Sequence, residues 1–152
     1  VARHFGKYGS KGVSKAVIIS GVPPYLLKTP DNPGGLDASV FDGIEQALQA
    51  NWNIAAGASA IASLACVQTW HEDFREDLTR IDVPTLVIHG DTDRILPIAA
   101  TGLRTAKLIK GARLLVVKDG PHCIPCRHAE EVNAELMSFL GGKTGNLKKE
   151  VA

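Results

Sequence analysis

The chain has 152 residues, enough for one domain around a single core. Its 17 basic and 16 acidic residues leave a formal net charge of +1, which gives no electrostatic case for a nucleic-acid or anionic-membrane partner. A hydrophobic content of 45%, with no apolar run long enough to span a bilayer and no basic-then-apolar leader, sets the expectation of a soluble cytoplasmic protein.

The chain opens at Val1 without a methionine, inside a helical pattern, so Val1 is not expected to be a natural domain start. Residues 1–8, VARHFGKY, place Val1, Phe5 and Tyr8 on one helical face, with Gly9 as the stop. Val13 to Ser20 is a β-branched apolar run without alternation, the pattern of a buried parallel strand, and it ends in Gly21-Val22-Pro23-Pro24. Pro, Gly, Asn and Asp mark residues 25–35 as a loop. From Ala38 to about Gln49, Val40, Phe41, Ile44, Ala47 and Leu48 recur at helical spacing. A second helical piece is expected from Ile54 to Leu78, with Trp52, Trp70 and Phe74 as packing residues of a lid between strands.

Pro84 precedes a strand at Thr85 to His89, a helix follows from Ile98 to Ile109 with Ile98, Leu103, Ala106 and Ile109 inward, and Arg113 to Val117 is the next strand. A last helix, about Ala129 to Leu140, turns Val132, Leu136, Phe139 and Leu140 inward and carries Glu130 and Glu131 near its positive end. Strand–helix–strand–helix order specifies an α/β architecture with a parallel sheet, its reactive loops at the carboxyl ends of the strands. The polar tail after Gly141 is expected to fray.

Both loops that leave those strands are rich in ionisable groups. The first carries Asp91 and Asp93 behind Gly90, and the second carries His122 behind Gly120-Pro121. A histidine takes up and releases a proton near neutral pH, and a buried carboxylate can fix its tautomer and stabilise its cation. Taken as residues alone, Asp93 could equally be a turn residue or the cap of a helix starting near Ile98, Asp91 has still less to set against a turn role, and His122 could be a surface-loop histidine.

The segments HGDTDRILP and DGPHCIPCRHAEEVN closely resemble those of α/β-hydrolases of the cofactor-free haloperoxidase, esterase and perhydrolase group. The resemblance extends through VARHFGKYG, VSKAVIISGVPPYLLKTPDNPGGL, SVFDGI, NWNIAAGAS and ACVQTW, nearly the whole chain. It implies a partial α/β-hydrolase fold over residues 1–152: the last parallel strands of the sheet, flanking helices, and a shortened helical lid at about 25–80. It also implies Asp93 as the acid and His122 as the base of a catalytic triad. The substrate would be a small ester or carboxylic acid, with no cofactor, and peroxide in place of water would yield a peracid able to oxidise halide. Two departures stand out. The family's nucleophile is a serine in a Gly-x-Ser-x-Gly elbow, and no G-x-S-x-G occurs here, so the chain alone is expected to be inactive. The histidine loop carries Cys123 and Cys126 where the family usually has glycine and bulky apolar residues.

Three cysteines, Cys66, Cys123 and Cys126, form an odd count that points to reduced thiols rather than a disulfide framework. Their placement opens an alternative, a non-catalytic remnant or small zinc-binding module using the Cys123/Cys126 loop. However, His122, Cys123, Cys126 and His128 crowd into seven residues, whereas structural zinc sites bring a second ligand pair from elsewhere. A redox C-x-x-C has no thioredoxin-like pattern around it. The expectation is no metal, with the cysteines incidental.

Overall fold

The computed structural model describes residues 1–50 and 68–141. Three parallel strands, β1 (Ala16–Ile19), β2 (Thr85–Gly90) and β3 (Arg113–Val117), lie in the order β1-β2-β3. The register runs from Ala16 opposite Thr85 to Ile19 opposite Ile88, and from Leu86 opposite Arg113 to Gly90 opposite Val117. Every residue of the central strand β2 is buried, the condition under which a strand reads as a continuous apolar run.

Helices cover both faces. On one side, α1 (Ala2–Tyr8) and α3 (Arg75–Thr79) enclose Ala2, Phe5, Ala16, Ile18, Leu78, Ile81 and Ile109. On the other, α5 (Ile124–Arg127) and α6 (Ala129–Leu140) enclose Leu86, Ile88, Val117, Ile124, Val132 and Phe139. Alternate residues of each strand feed alternate layers, so Ile18 packs in the first cluster and Val17 and Ile19 against the second. Gly141, at φ 82°, ends α6 in the left-handed conformation that glycine adopts without strain.

A third cluster sits around α2 (Ala38–Ala50): Leu26, Phe41 and Leu96 are buried, with Val22, Leu27, Leu36 and Trp70 packed against them. The loop beneath it is pinned by the buried Asn32, whose Nδ2 donates to Tyr25 O at 2.8 Å and Leu27 O at 3.0 Å. Leu96 joins this cluster to the loop that leaves β2.

Several helical expectations need correction. The stretch toward Leu78 is not one helix where it is described: a single 3₁₀ turn, Thr69–His71, gives way to extended backbone at Glu72, and α3 starts afresh at Arg75. Asp73 causes the restart, because its Oδ1 accepts the Arg75 N–H at 2.9 Å and competes with helix continuation. Hydrogen bonding from the Arg75 side chain also holds the Asp73 carboxyl below its ordinary range. Phe74 therefore packs in the α1–β1 cluster rather than in the lid, while Trp70 meets Phe41 edge-on at 6.3 Å. Trp52, Cys66 and the stretch from Ile54 to Val67 lie outside the described residues.

The helix expected from Ile98 begins later, as α4 (Gly102–Leu108), and Leu103 is exposed. Its inward side is Thr101, Gly102, Thr105 and then Ile109, because each threonine spends its hydroxyl on backbone: Thr101 Oγ1 donates to Pro97 O at 2.9 Å and Thr105 Oγ1 to Pro23 O at 2.6 Å. Tyr8 and Leu140 are likewise exposed, and α1 buries Ala2 and Phe5 instead. Among the described residues no helix is long and apolar enough to cross a membrane.

Candidate active site

β2 and β3 end at the same sheet edge, and their outgoing loops touch backbone to backbone. Asp91 N donates to Val117 O at 3.1 Å and Thr92 N to Gly120 O at 3.2 Å. The contact requires glycine: a Cβ on Gly90 would lie 2.0 Å from Gly120 O and 2.5 Å from its carbonyl carbon. At Asp119 the returning loop bends through φ 54°, and Gly120-Pro121 then delivers His122.

The structure brings Asp93 and His122 together. His122 Nδ1 lies 2.9 Å from Asp93 Oδ2, with the carboxylate wholly buried and the imidazole 37% exposed. The other carboxylate oxygen, Oδ1, accepts the backbone N–H groups of Ile95 at 2.9 Å and Leu96 at 2.8 Å. A buried charge costs far more than a few kcal/mol unless such donors replace its water, and here both oxygens are supplied. The turn role that sequence offered as an alternative for Asp93 and the contact with His122 are thus performed by different oxygens of one side chain. Asp91 is exposed.

Because Nδ1 is engaged by the carboxylate, Nε2 is the ring nitrogen left to exchange a proton with another molecule. His122 lines an open cleft of about 500 Å³ together with Thr92, Arg94, Ile95, Pro121 and Cys123. Such a cleft can admit a small molecule between an apolar wall and a basic nitrogen.

Sequence reasoning overlooked His89, the last side chain of β2 before Gly90. It is fully buried, and its Nε2 lies 2.8 Å from Leu96 O and 3.3 Å from Asp93 Oδ2. Leu96 O is an acceptor, so Nε2 must carry hydrogen and donate to it. Nδ1 is buried without a partner, which a bare lone pair tolerates better than an N–H. His89 therefore carries its hydrogen on Nε2, ties the Leu96 backbone to the end of β2 and lies beside the Asp93 carboxylate. Gly102 makes room for it, since a Cβ there would come within 2.8 Å of the imidazole. The available signal was a polar residue at the end of an otherwise apolar strand, one position before the glycine.

Cys123 and Cys126 are free and exposed, with sulfurs 2.9 Å apart. Among the described residues no group of three or more His, Cys, Asp and Glu is placed to hold a metal ion, so the zinc alternative finds no four-ligand set there.

Comparison with known proteins matches residues 11–128 to the α/β-hydrolase fold family. A Synechocystis protein named "Putative non-heme chloroperoxidase" is 48% identical across 92% of this chain and 62% of its own length. The Acinetobacter calcoaceticus "Bifunctional esterase/perhydrolase DCH" is 30% identical over the same shares. A crystal structure of bromoperoxidase from Bacillus anthracis superposes with a TM-score of 0.82 at 32% identity, covering 92% of this chain and 62% of that one. The chain thus spans about 62% of the length of the relatives it matches. The Synechocystis alignment runs to 171 residues, longer than the chain itself, so that relative carries residues inside the matched span that are missing here. With a three-stranded parallel sheet, helices on both faces and a family match across most of its length, the chain belongs to the α/β-hydrolase fold family.

Proposed function

We propose that this chain supplies the acid–histidine half of a serine hydrolase site acting on small esters or carboxylic acids. The single observation that carries this reading is the buried Asp93 carboxylate 2.9 Å from His122 Nδ1, in a cleft at the carboxyl edge of a parallel sheet. In that role Asp93 holds His122 in the Nδ1–H tautomer, and Nε2 takes the proton of a serine hydroxyl as it attacks the acyl carbon. The leaving alcohol then takes the proton back from His122. Water or peroxide completes the cycle by the same proton path, giving acid or peracid. The esterase/perhydrolase name of one relative and the haloperoxidase names of others support this substrate class. The stretch at about 25–80 is the shortened lid of this reading, and Leu96 in the α2 cluster is the point where it rests on the Asp93 loop.

The serine is the group this sequence does not provide. Ser10, Ser14, Ser20, Ser39, Ser59, Ser63 and Ser138 all lie outside a G-x-S-x-G context. Ser20 is the most unusual of those described: it directly follows β1 at φ 44° with its Oγ buried and unpartnered. The expected result is that a fluorophosphonate probe does not label the 152-residue chain and that p-nitrophenyl acetate turnover stays at the buffer rate. Labelling of any serine here, lost on His122→Ala, would show that the chain carries its own nucleophile and would overturn this division of roles.

A further inference from the structure

The C-x-x-C pair is not spent on the chemistry above, and its geometry differs from what its sequence surroundings suggested. Ile124, fully buried in the β2–β3–α6 cluster, and Pro125 lie between the two cysteines, and Cys126 N donates to Cys123 O at 3.1 Å. The turn is thus anchored from below while both sulfurs stay at the surface, 2.9 Å apart. The sulfurs stand within about 1 Å of the covalent separation of about 2.05 Å. Cys123 follows His122 directly and lines the same cleft.

We propose that Cys123 and Cys126 are a redox-active dithiol, oxidised reversibly to a disulfide by hydroperoxides at the rim of the His122 cleft. One thiolate attacks a peroxide oxygen, the O–O bond breaks, and hydroxide leaves to collect a proton, giving a sulfenic acid and water. The second sulfur attacks the sulfenic sulfur, the S–O bond breaks, and a second water leaves. Two electrons pass from the thiols to the peroxide, and both thiol protons end in water. An external dithiol reverses the step through a mixed disulfide, as exposed disulfides allow. The Cys126 thiol is pushed above its ordinary value by its hydrogen bond with Cys123 and by charge on that neighbour, so one of the pair keeps its proton beside the other. None of this needs a serine nucleophile, so the dithiol stands apart from the hydrolase reading. Its consequence for that site is a covalent clamp on the loop immediately after His122.

The test is intact-mass measurement and peptide mapping of the protein after stoichiometric hydrogen peroxide, with Cys66→Ala removing the remaining thiol and the unsubstituted protein mapped in parallel. The expected product has lost the mass of two hydrogens, carries a Cys123–Cys126 link, resists alkylation at both sulfurs and returns to the dithiol with dithiothreitol. Cys123→Ser and Cys126→Ser should instead gain oxygen at the remaining sulfur. A pair that stays reduced, that accumulates oxygen as fast as the single-cysteine variants, or that links only between molecules would overturn the proposal.

Discussion

Asp93→Ala is expected to destabilise the folded chain by about 3–5 kcal/mol, the cost of breaking a buried charged network by removing one member. The figure follows from the number of groups left without a partner. The N–H groups of Ile95 and Leu96 lose Oδ1, His122 Nδ1 loses Oδ2, and the buried His89 loses the carboxylate that packs 3.3 Å from its Nε2. His122 can turn to solvent, whereas the Leu96 N–H stays buried without a partner. Asp93→Asn separates stability from chemistry. Its amide oxygen can still serve the two backbone donors, but its NH₂ then faces the Nδ1–H of His122, which must switch tautomer to regain a bond. Stability should fall less than in the alanine variant. In a polypeptide that also carries the nucleophile, ester turnover should fall by about 10⁴, the loss typical of a triad base held in the wrong tautomer. Urea unfolding midpoints and turnover numbers check the two halves separately. An alanine variant within about 0.5 kcal/mol of the parent, the range of an ordinary surface change, would mean that Asp93 is not the buried hub described here.

Gly90→Ala should be comparably damaging although it adds a single methyl group. The methyl carbon would stand 2.0 Å from the Gly120 carbonyl oxygen, and backbone cannot step aside as a side chain end can. The loops after β2 and β3 would have to part, breaking the bonds from Asp91 N to Val117 O and from Thr92 N to Gly120 O and drawing His122 away from Asp93. The expected loss is about 3 kcal/mol or more, at the upper end of overpacking costs. Gly43→Ala is the matched control. Gly43 lies within α2 with nothing within 4 Å of the added carbon, so the same change should be neutral or stabilising by about 0.5–1 kcal/mol. Thermal unfolding of the two variants side by side reads the difference, and equal midpoints would refute the backbone contact.

The parts of this site that sequence revealed are those where local chemistry and position coincide. Gly90-Asp91-Thr92-Asp93 after one apolar strand and Gly120-Pro121-His122 after another announce loops at a sheet edge, and the family resemblance selects Asp93 over Asp91. His89 stayed hidden because its role depends on what packs around it. A histidine at a strand end reads as the point where the strand meets water, and it is enclosed by the returning loop at Leu96 and by Gly102 at the start of α4. Only part of the inward face of α4 is legible for a related reason: hydrophobic periodicity counts Ile109, which is buried, and Leu103, which is exposed, but not Thr101 and Thr105, whose hydroxyls bond to backbone that the pattern cannot see. The break at Glu72 turned on one Asp73 side chain bonding two residues ahead, a local competition that apolar spacing does not register. The two cysteines are a C-x-x-C like many others in sequence. Buried Ile124 between them is what holds their sulfurs together.

The pairing of Asp93 with His122 is tested most directly in the 152-residue chain itself, by two-dimensional ¹H–¹⁵N spectra of the histidine rings at a pH above the ordinary histidine range. His122 is expected to show a protonated Nδ1 with a strongly downfield proton and a bare Nε2, and Asp93→Asn should abolish that proton and move it to Nε2. A His122 ring averaging between tautomers in the parent protein, or unchanged by Asp93→Asn, would contradict the assignment of Asp93 as the group that orients it.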